Sequence, residues 1–453
     1  MGSEPSLEYC ELSDIGRRRS SNQDASAVVP ADTPGEYRRR GWLFLVADGM
    51  GAHAAGETAS RLAKEQVPLA YEKLAIRSPP LAVHSSIEHA NRVIHERGET
   101  SPDLKGMGTT CSVLAILPRG ALVGHVGDSR VYRVRGETIE QLSRDHSLAW
   151  EVEAARKQEA GTSPLQSPAF QDPPKNIITR SLGPHGHVDV DLEGPFPVSA
   201  GDVFILCSDG LSGQVMDEEI GCLAAALPPP EAAAALLGLA LVRGAPDNVT
   251  LIVARAGQRE RSEATAGSSR WTFTAEDGGR QNAPGPIPSR WFILAAVGLL
   301  GTLIFNPWAD LMAEGGLLDR LLGGLAPAIG TALTGLMALL ALAATLTAFL
   351  DMAGGDRDDV RTLRLGDQSP YRAYDCPLTA ERVEGIVASL ESAADGLGDD
   401  VRQRALDFVA EARRQLGTGD LAAALARAVA GLAVYRRSVE AARGDDPTRL
   451  ENS

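Results

Sequence analysis

The chain has 453 residues, more than one hydrophobic core usually holds, so we expect two or more structural units. Its formal net charge of -15 argues against a nucleic-acid binder, because a phosphate backbone favours a clustered excess of lysine and arginine. The five cysteines are scattered without a Cys-x-x-Cys pair, which favours reduced thiols in the cytosol.

The first predicted unit spans residues 1–256. Its first eleven residues are polar and acidic where a signal peptide would need an apolar core, so we expect this unit to stay inside the cell. Short β-branched runs then alternate with amphipathic stretches, a pattern typical of a globular chain with both strands and helices. The predicted strands are 42–47, 111–117, 203–207 and 248–254, and the predicted helices are 56–74 and 85–97.

Residues 257–290 lose all apolar periodicity and end in a run rich in proline and glycine, which predicts a flexible linker.

Two segments without a charged residue follow, 291–309 and 325–350. Each is long enough to cross a hydrocarbon core, which takes about 20 helical residues. The alternative is a hairpin buried in a soluble core, which would also be apolar on every face. We favour two transmembrane helices, because charge-free segments of this length are the usual signal of a membrane span. The loop between them, 310–324, is predicted to be external, because basic residues flank the pair on its outer ends.

The remaining chain is predicted to be a polar linker, 351–375, followed by a helical region, 376–445. Apolar residues at helical spacing indicate amphipathic helices, and glycines near 396–398 and 417–419 separate three of them. This region shows no catalytic constellation.

Acidic residues stand beside glycine or asparagine at the ends of several predicted strands. A strand that runs into Asp-Gly holds a carboxylate at the edge of a sheet, where the glycine leaves room for a metal ion. One Asp-Gly is usually only a turn, but five such segments in one domain predict a site for a hard cation. The segments are 22–24, 48–51, 127–130, 208–210 and 247–250.

These segments, in this order, resemble the motifs of the bacterial type 2C metal-dependent protein serine/threonine phosphatases, the PPM family. The resemblance covers about residues 8–255 and does not extend to the linker, the apolar segments or the tail. The matching runs are SDIGRRRSSNQD (13–24), VADGMGAHAAGE (46–57), MGTT (107–110), VGDSRVY (126–132), RDHS (144–147), ITRSLG (178–183), CSDGL (207–211) and DNVT (247–250).

The resemblance implies an α+β fold, a four-layer αββα sandwich of two antiparallel sheets flanked by helices. The sequence adds a transmembrane helical hairpin and a small all-α tail. The implied activity is hydrolysis of phosphoserine and phosphothreonine on proteins, opposing a serine/threonine kinase. With the predicted hairpin, the enzyme and its tail would face the cytosol at the cytoplasmic membrane.

The resemblance also implies a role for each matching residue. Asp48 would bridge two metal ions, Asp209 and Asp247 would complete the first, and the carbonyl of Gly49 would serve the second. Asp24 would hold metal-bound water. Asp128 would help to bind a third, weaker ion together with Asp209. Arg19 would grip the substrate phosphate with a planar, permanently charged fork that lysine lacks.

The implied ions are Mn²⁺ or Mg²⁺, which prefer oxygen ligands and keep several waters, so few carboxylates suffice. Two such ions lower the pKa of a bridging water and stabilise charge as phosphorus is attacked.

Some residues differ from the family's motifs, and others can be explained by a structural role alone. Gln23 stands where some members have a glutamate, which leaves the affinity of the second metal open. No histidine matches a general acid securely, and His53 and His146 are more often structural hydrogen-bonding groups. The arginine runs 17–19 and 38–40, apart from Arg19, are interpreted as surface charge.

Residues 147–177 fit the flap that related bacterial enzymes place beside the active site. The main competing hypothesis is a catalytically weak sensor or scaffold that binds phosphorylated partners at a membrane complex. Loss of Asp48, Asp209 or Asp247 would favour that hypothesis, but all three are present. A third hypothesis gives the main function to the hairpin and tail, with the phosphatase domain as their regulator.

Overall fold

The computed structural model describes residues 7–51, 54–75, 78–160, 177–257 and 370–444, together with residue 320. Residues up to Arg270 and from Leu363 onward form one compact unit, which contains every element described below. The second unit, Trp271–Thr362, contains residue 320 as its single described residue.

The strands and helices alternate along the chain, and the last strand and three helices follow a long interval. In chain order they are β1 (Leu7–Asp14), β2 (Asp24–Val29), α1 (Pro34–Arg39), β3 (Trp42–Met50), α2 (Ala55–Leu74), α3 (Pro79–Thr100), β4 (Gly108–Thr109), β5 (Cys111–Leu117), β6 (Gly120–Val126), β7 (Arg130–Arg135), β8 (Thr138–Gln141), α4 (Leu148–Ala160), β9 (Asp191–Phe196), β10 (Val203–Cys207), α5 (Asp209–Ser212), α6 (Asp217–Ala226), α7 (Pro229–Val242), β11 (Val249–Ala256), β12 (Arg372–Asp375), α8 (Ala380–Ala394), α9 (Asp399–Thr418) and α10 (Leu421–Arg443).

The strands form two antiparallel sheets. One has the order β1-β11-β10-β7-β8-β12, and the other has the order β2-β3-β5-β6-β9, with the short β4 paired to β3. This arrangement confirms the two antiparallel sheets that the family resemblance implies.

The two sheets pack face to face because their strands alternate between two apolar faces. On β10, Phe204 and Leu206 belong to the core between the sheets, whereas Val203 and Ile205 face the helices outside. This period of two is expected of strands that are covered on both faces.

Helices cover both outer faces of the sandwich. Residues of α2 and α3 share a core with β3, β5 and β6, and residues of α6 and α7 share another with β10 and β11. Residues 7–257 therefore have the layered arrangement of helices and sheets that the resemblance implies.

The C-terminal segment 370–444, which we call the tail, corrects the predicted organisation at one point. Its helices α8, α9 and α10 lie within the region predicted as helical, 376–445. β12 lies in the segment predicted as a polar linker, 351–375, and pairs antiparallel with β8, with Tyr374 opposite Ile139. That segment therefore contributes a strand to a sheet of residues 7–257. β8 would otherwise be an edge strand with unpaired backbone groups, which β12 covers.

The tail helices add a further layer over α7. Leu390, Leu425 and Leu432 are fully or almost fully buried in the same core as Leu236 and Leu239 of α7. A helix that is apolar on every face must be covered on every face, and α7 meets this condition between its sheet and the tail.

The predicted transmembrane hairpin is not supported, and the fold class is corrected accordingly. No helix within the described ranges is long and apolar enough to cross a membrane. The most uniformly buried helix, α7, has 14 residues, fewer than the roughly 20 that a crossing needs. Both segments, 291–309 and 325–350, lie outside the described residues. Localisation at the cytoplasmic membrane, which depends on them, stays a prediction.

Candidate metal and phosphate site

Four carboxylates predicted from the sequence meet at one end of the sandwich. Asp24 opens β2 directly opposite Asp48 on β3, in the second sheet. Asp209 follows β10 and Asp247 precedes β11, which are neighbours in the first sheet. The site is therefore assembled from both sheets.

The carboxylates are close enough to perturb one another. Burial raises the pKa of Asp24 to about 7, and the charges of Asp209 and Asp247 act in the same direction. Burial also raises the pKa of Asp48 well above its usual range, with further contributions from Asp24 and Asp209. Such a cluster of like charges is electrostatically unfavourable without a cation or protons.

Hydrogen bonds from Ser208 connect the two sheets at this point. Its hydroxyl donates to Oδ2 of Asp24 at 2.8 Å and accepts from the backbone N–H of Thr250 at 3.0 Å. Ser208 therefore fixes one Asp24 oxygen while its neighbour Asp209 enters the site. The sequence identified the Ser-Asp-Gly segment but not this role of its serine.

The backbone of Asp48 is held by two threonines. Its N–H donates to Oγ1 of Thr110 at 2.8 Å, and its carbonyl accepts from the Thr109 hydroxyl at 2.9 Å. The Met-Gly-Thr-Thr segment thus holds the strand that presents the central carboxylate.

Gly49 lies where no side chain fits. A Cβ atom there would stand 2.2 Å from the carbonyl oxygen of Gly56 and 2.5 Å from that of Gln23. Contacts this short exclude alanine, so the close approach of three backbone segments beside Asp48 requires glycine.

Asn248 ties the phosphate-site loop, residues 15–23, to the end of β11. Its amide donates to the carbonyls of Ile15 at 2.8 Å and Ser21 at 3.0 Å, and its side-chain oxygen accepts from the N–H of Gln23 at 2.9 Å. The asparagine that follows Asp247 therefore sets the position of the loop that precedes Asp24.

Arg19 projects from this loop toward the carboxylates. Its Nη2 atom lies 2.6 Å from Oδ2 of Asp247, and the two side chains are 51% and 34% exposed. The guanidinium thus lies at the open rim of the site, where an incoming anion can reach it.

Asp128 lies near Asp209, and both line one cavity. Burial raises its pKa to about 7, and the charge of Asp209 adds to the shift. Within the described part of the chain, Oδ1 of Asp128 and Oδ1 of Asp209 are buried and accept no hydrogen bond. Both residues line a cavity of about 390 Å³, which is also bordered by Trp150 of α4 and Arg372 of β12.

The oxygen ligands of the site fit a hard divalent cation. Burying a carboxylate oxygen without a hydrogen-bond donor costs free energy, and Mg²⁺ or Mn²⁺ binds such oxygens. No three acidic, histidine or cysteine side chains in the described ranges form a ready metal cluster, so water would complete the coordination of any bound ion.

The histidine that the sequence placed in a motif is structural. Nδ1 of His146 accepts from the N–H of Gly127 at 3.0 Å, so Nε2 carries the proton and contacts Asp191 at 2.9 Å. The ring is buried, which lowers the pKa of His146 despite the carboxylate. His53 and residues 161–176 of the predicted flap lie outside the described residues.

Comparisons with known proteins show which proteins this chain resembles. Residues 16–234 match the sequence model of the family described as Protein phosphatase 2C. Protein phosphatase PhpP of Streptococcus pneumoniae is 33% identical over 253 residues, which cover 54% of this chain and 96% of that protein. Serine/threonine phosphatase stp of Listeria welshimeri is 32% identical over 245 residues, 53% of this chain and 92% of that protein.

One similar solved structure is the catalytic domain of serine threonine protein phosphatase PstP in complex with two manganese ions. The two sequences are 32% identical, the alignment covers 56% of this chain and 99% of the PstP chain, and the TM-score is 0.44.

Proposed function

The chain belongs to the protein phosphatase 2C family, and we propose that the carboxylate cluster is its two-metal centre. The protein is a metal-dependent protein serine/threonine phosphatase. Its substrates are therefore phosphoproteins, and a serine/threonine kinase is its functional counterpart.

The observation that carries the proposal is the meeting of Asp24, Asp48, Asp209 and Asp247 from two sheets, with raised pKa values for the first three. Asp48 would be shared between two Mn²⁺ or Mg²⁺ ions, with Asp209 and Asp247 on the first. The Gly49 carbonyl would serve the second ion, and Asp128 with Asp209 would hold a weaker third. When bound, the ions would stabilise the negative charge on the phosphate oxygens and lower the pKa of a bound water.

The chain's own groups bind and orient the reactants. Arg19 would contact the phosphate oxygens, since its guanidinium is charged, planar and reachable from solvent. Asp24, fixed by Ser208, would accept a hydrogen bond from the water and orient it. His146 does not reach the leaving group, because its ring is buried between Gly127 and Asp191.

The competing sensor or scaffold hypothesis is less well supported. A phosphate-binding module needs Arg19 but gains nothing from a crowded carboxylate cluster that repels phosphate. The cluster is instead suited to cations, which are needed for hydrolysis.

Replacing single carboxylates tests the proposal. We expect Asp48→Asn and Asp209→Asn to lower kcat on a phosphothreonine peptide by about a thousandfold or more, because each would lose a ligand of the first ion. Asp103→Asn, at an exposed aspartate that is none of the proposed ligands, should retain the activity.

Circular dichroism should show that the variants remain folded. Full activity of folded Asp209→Asn would contradict the two-metal proposal, and retained phosphopeptide binding without hydrolysis by the unaltered protein would favour the scaffold hypothesis.

A further inference from the structure

Most residues of the loop that carries Arg19 are exposed to solvent. Arg17, Arg18, Arg19, Ser20 and Ser21 are all exposed. An exposed segment without an apolar anchor is expected to open locally at low free-energy cost. Its position must therefore be set by its neighbours.

The inner side of the loop is fixed by the end of β11. Gly16 has φ +76°, and a Cβ atom there would stand 1.9 Å from the carbonyl oxygen of Asp247. The N–H of Arg17 donates to the carbonyl of Ala245 at 2.8 Å. The start of the loop thus lies directly against the backbone of a proposed metal ligand.

The same loop is also held by α10, which lies outside the region that matches the family. Nη2 of Arg443 donates to the carbonyl of Gly16 at 2.6 Å, and Nη1 donates to Oδ1 of Asp14 at 2.9 Å. The side chains of Arg443 and Asp14 are 22% and 9% exposed. A charged fork with this little exposure is a stronger contact than a surface ion pair.

A second contact from α10 reaches the next loop residue. Nη1 of Arg17 donates to the hydroxyl of Tyr435 at 2.7 Å, and its guanidinium lies 5.9 Å from the centre of that ring. Tyr435 is itself buried in the core beneath α10. Arg17, interpreted from the sequence as surface charge, is thus anchored to the tail.

We propose that Arg443 and Tyr435 are positioning residues for phosphate binding, because they hold the start of the Arg19 loop, which itself lies against Asp247. Arg443 donates to the carbonyl of Gly16, three residues before Arg19. The C-terminal helix therefore stabilises the position from which Arg19 reaches a substrate phosphate. This inference rests on the proposed role of Arg19.

Two readouts on the full-length protein test the proposal. Hydrogen exchange, measured without added metal, reports the loop directly, and KM and kcat on a small aryl phosphate report phosphate binding. We expect Arg443→Ala to speed amide exchange in residues 16–23 by about tenfold, from the loss of charged hydrogen bonds. It should raise KM by about three- to tenfold with little change in kcat.

Matched variants separate positioning from general damage. Arg443→Lys keeps the charge beside Asp14 but not the fork, so its effects should be intermediate. Tyr435→Phe keeps the buried ring and loses only the hydroxyl that receives Arg17. Arg437→Ala, at an exposed position on the same helix, should change neither readout. If Arg443→Ala does not fold, the lysine and phenylalanine variants decide.

Unchanged loop exchange in the folded variants would overturn the proposal, and so would faster exchange with an unchanged KM. If Arg19→Ala itself left KM unchanged, the proposed role of Arg19 would fail instead. The exchange experiment would still show whether α10 holds the loop.

Discussion

Arg19 and Asp247 form an ion pair at the rim of the carboxylate cluster, with the arginine side chain half exposed. The guanidinium can leave the carboxylate for a substrate phosphate without unfolding the loop, because Gly16 and Asn248 hold its backbone. Because both side chains are partly exposed and screened by solvent, the ion pair contributes about 1 kcal/mol or less, so its loss to a phosphate costs little.

We expect Arg19→Ala to raise KM for small phosphoesters by about tenfold to a hundredfold, while kcat falls less. The reason is that Arg19 binds substrate and transition state alike. Steady-state kinetics on an aryl phosphate measure both constants, with Arg18→Ala, an exposed neighbour in the same loop, as control. An unchanged KM in Arg19→Ala would show that the phosphate contact is misassigned.

The sequence identified the acidic residues of the site but not the groups that hold them. Asp48 and Asp209 stand out because an apolar strand runs directly into Asp-Gly. The groups that hold these acids do so through hydrogen bonds to segments distant in the chain, and no local sequence pattern reveals such partners. They are Ser208, Thr110 and Asn248. Arg443 and Asp14 meet across almost the whole chain, so their contact was equally hidden.

At the scale of elements, α7 contained a signal that sequence reasoning missed. Ala and Leu fill nine of the 14 positions of Pro229–Val242, and residues on every face are buried. A helix on the outer face of an αββα sandwich needs only one apolar stripe. The second apolar face of α7 therefore required another layer, which α8 and α10 supply.

The contact between α7 and α10 is close enough to test by truncation of one side chain. Leu432 is fully buried, and a Cβ atom on Gly238 of α7 would stand 3.1 Å from the Cβ atom of Leu432. We expect Leu432→Ala to lower the free energy of unfolding by about 2–5 kcal/mol. The same change at Leu69, which is 54% exposed on α2, should cost under about 0.5 kcal/mol.

Denaturant unfolding of the full-length protein measures both variants. The unfolding transitions measured by fluorescence and by circular dichroism should coincide, because the tail and the layers of the catalytic domain share one core. An early transition of the tail alone, with the later one unchanged, would show that the tail folds independently.

At the scale of the whole molecule, the region that matches the family is not a separable part. The tail completes a sheet through β12, covers α7 and holds the Arg19 loop. Near the cavity, Arg372 of β12 also lies 4.0 Å over the ring of Trp150. Ending the chain at residue 257 would expose the edge of β8 and an apolar face of α7, which favours aggregation. Activity should therefore be measured on the full-length protein.

The sandwich could be expected from the sequence because the motifs within residues 8–255, in their order, resemble those of a family with that fold. The sequence could not place the tail, because the pairing of β12 with β8 depends on a short strand without a strong apolar pattern. The interpretation of two apolar segments as a membrane hairpin used their hydropathy and the basic residues that flank them, and no helix in the described ranges supports it.

We propose that the carboxylate cluster binds the ions on which the phosphatase activity depends. The most direct test is phosphate release from a phosphothreonine peptide by the full-length protein during a Mn²⁺ or Mg²⁺ titration. We expect activity to appear with added metal and to saturate, because a site of few carboxylates and several waters exchanges its ions readily. A chelator should abolish the activity and renewed metal should restore it. Undiminished hydrolysis in excess chelator, after removal of all bound metal, would contradict the account.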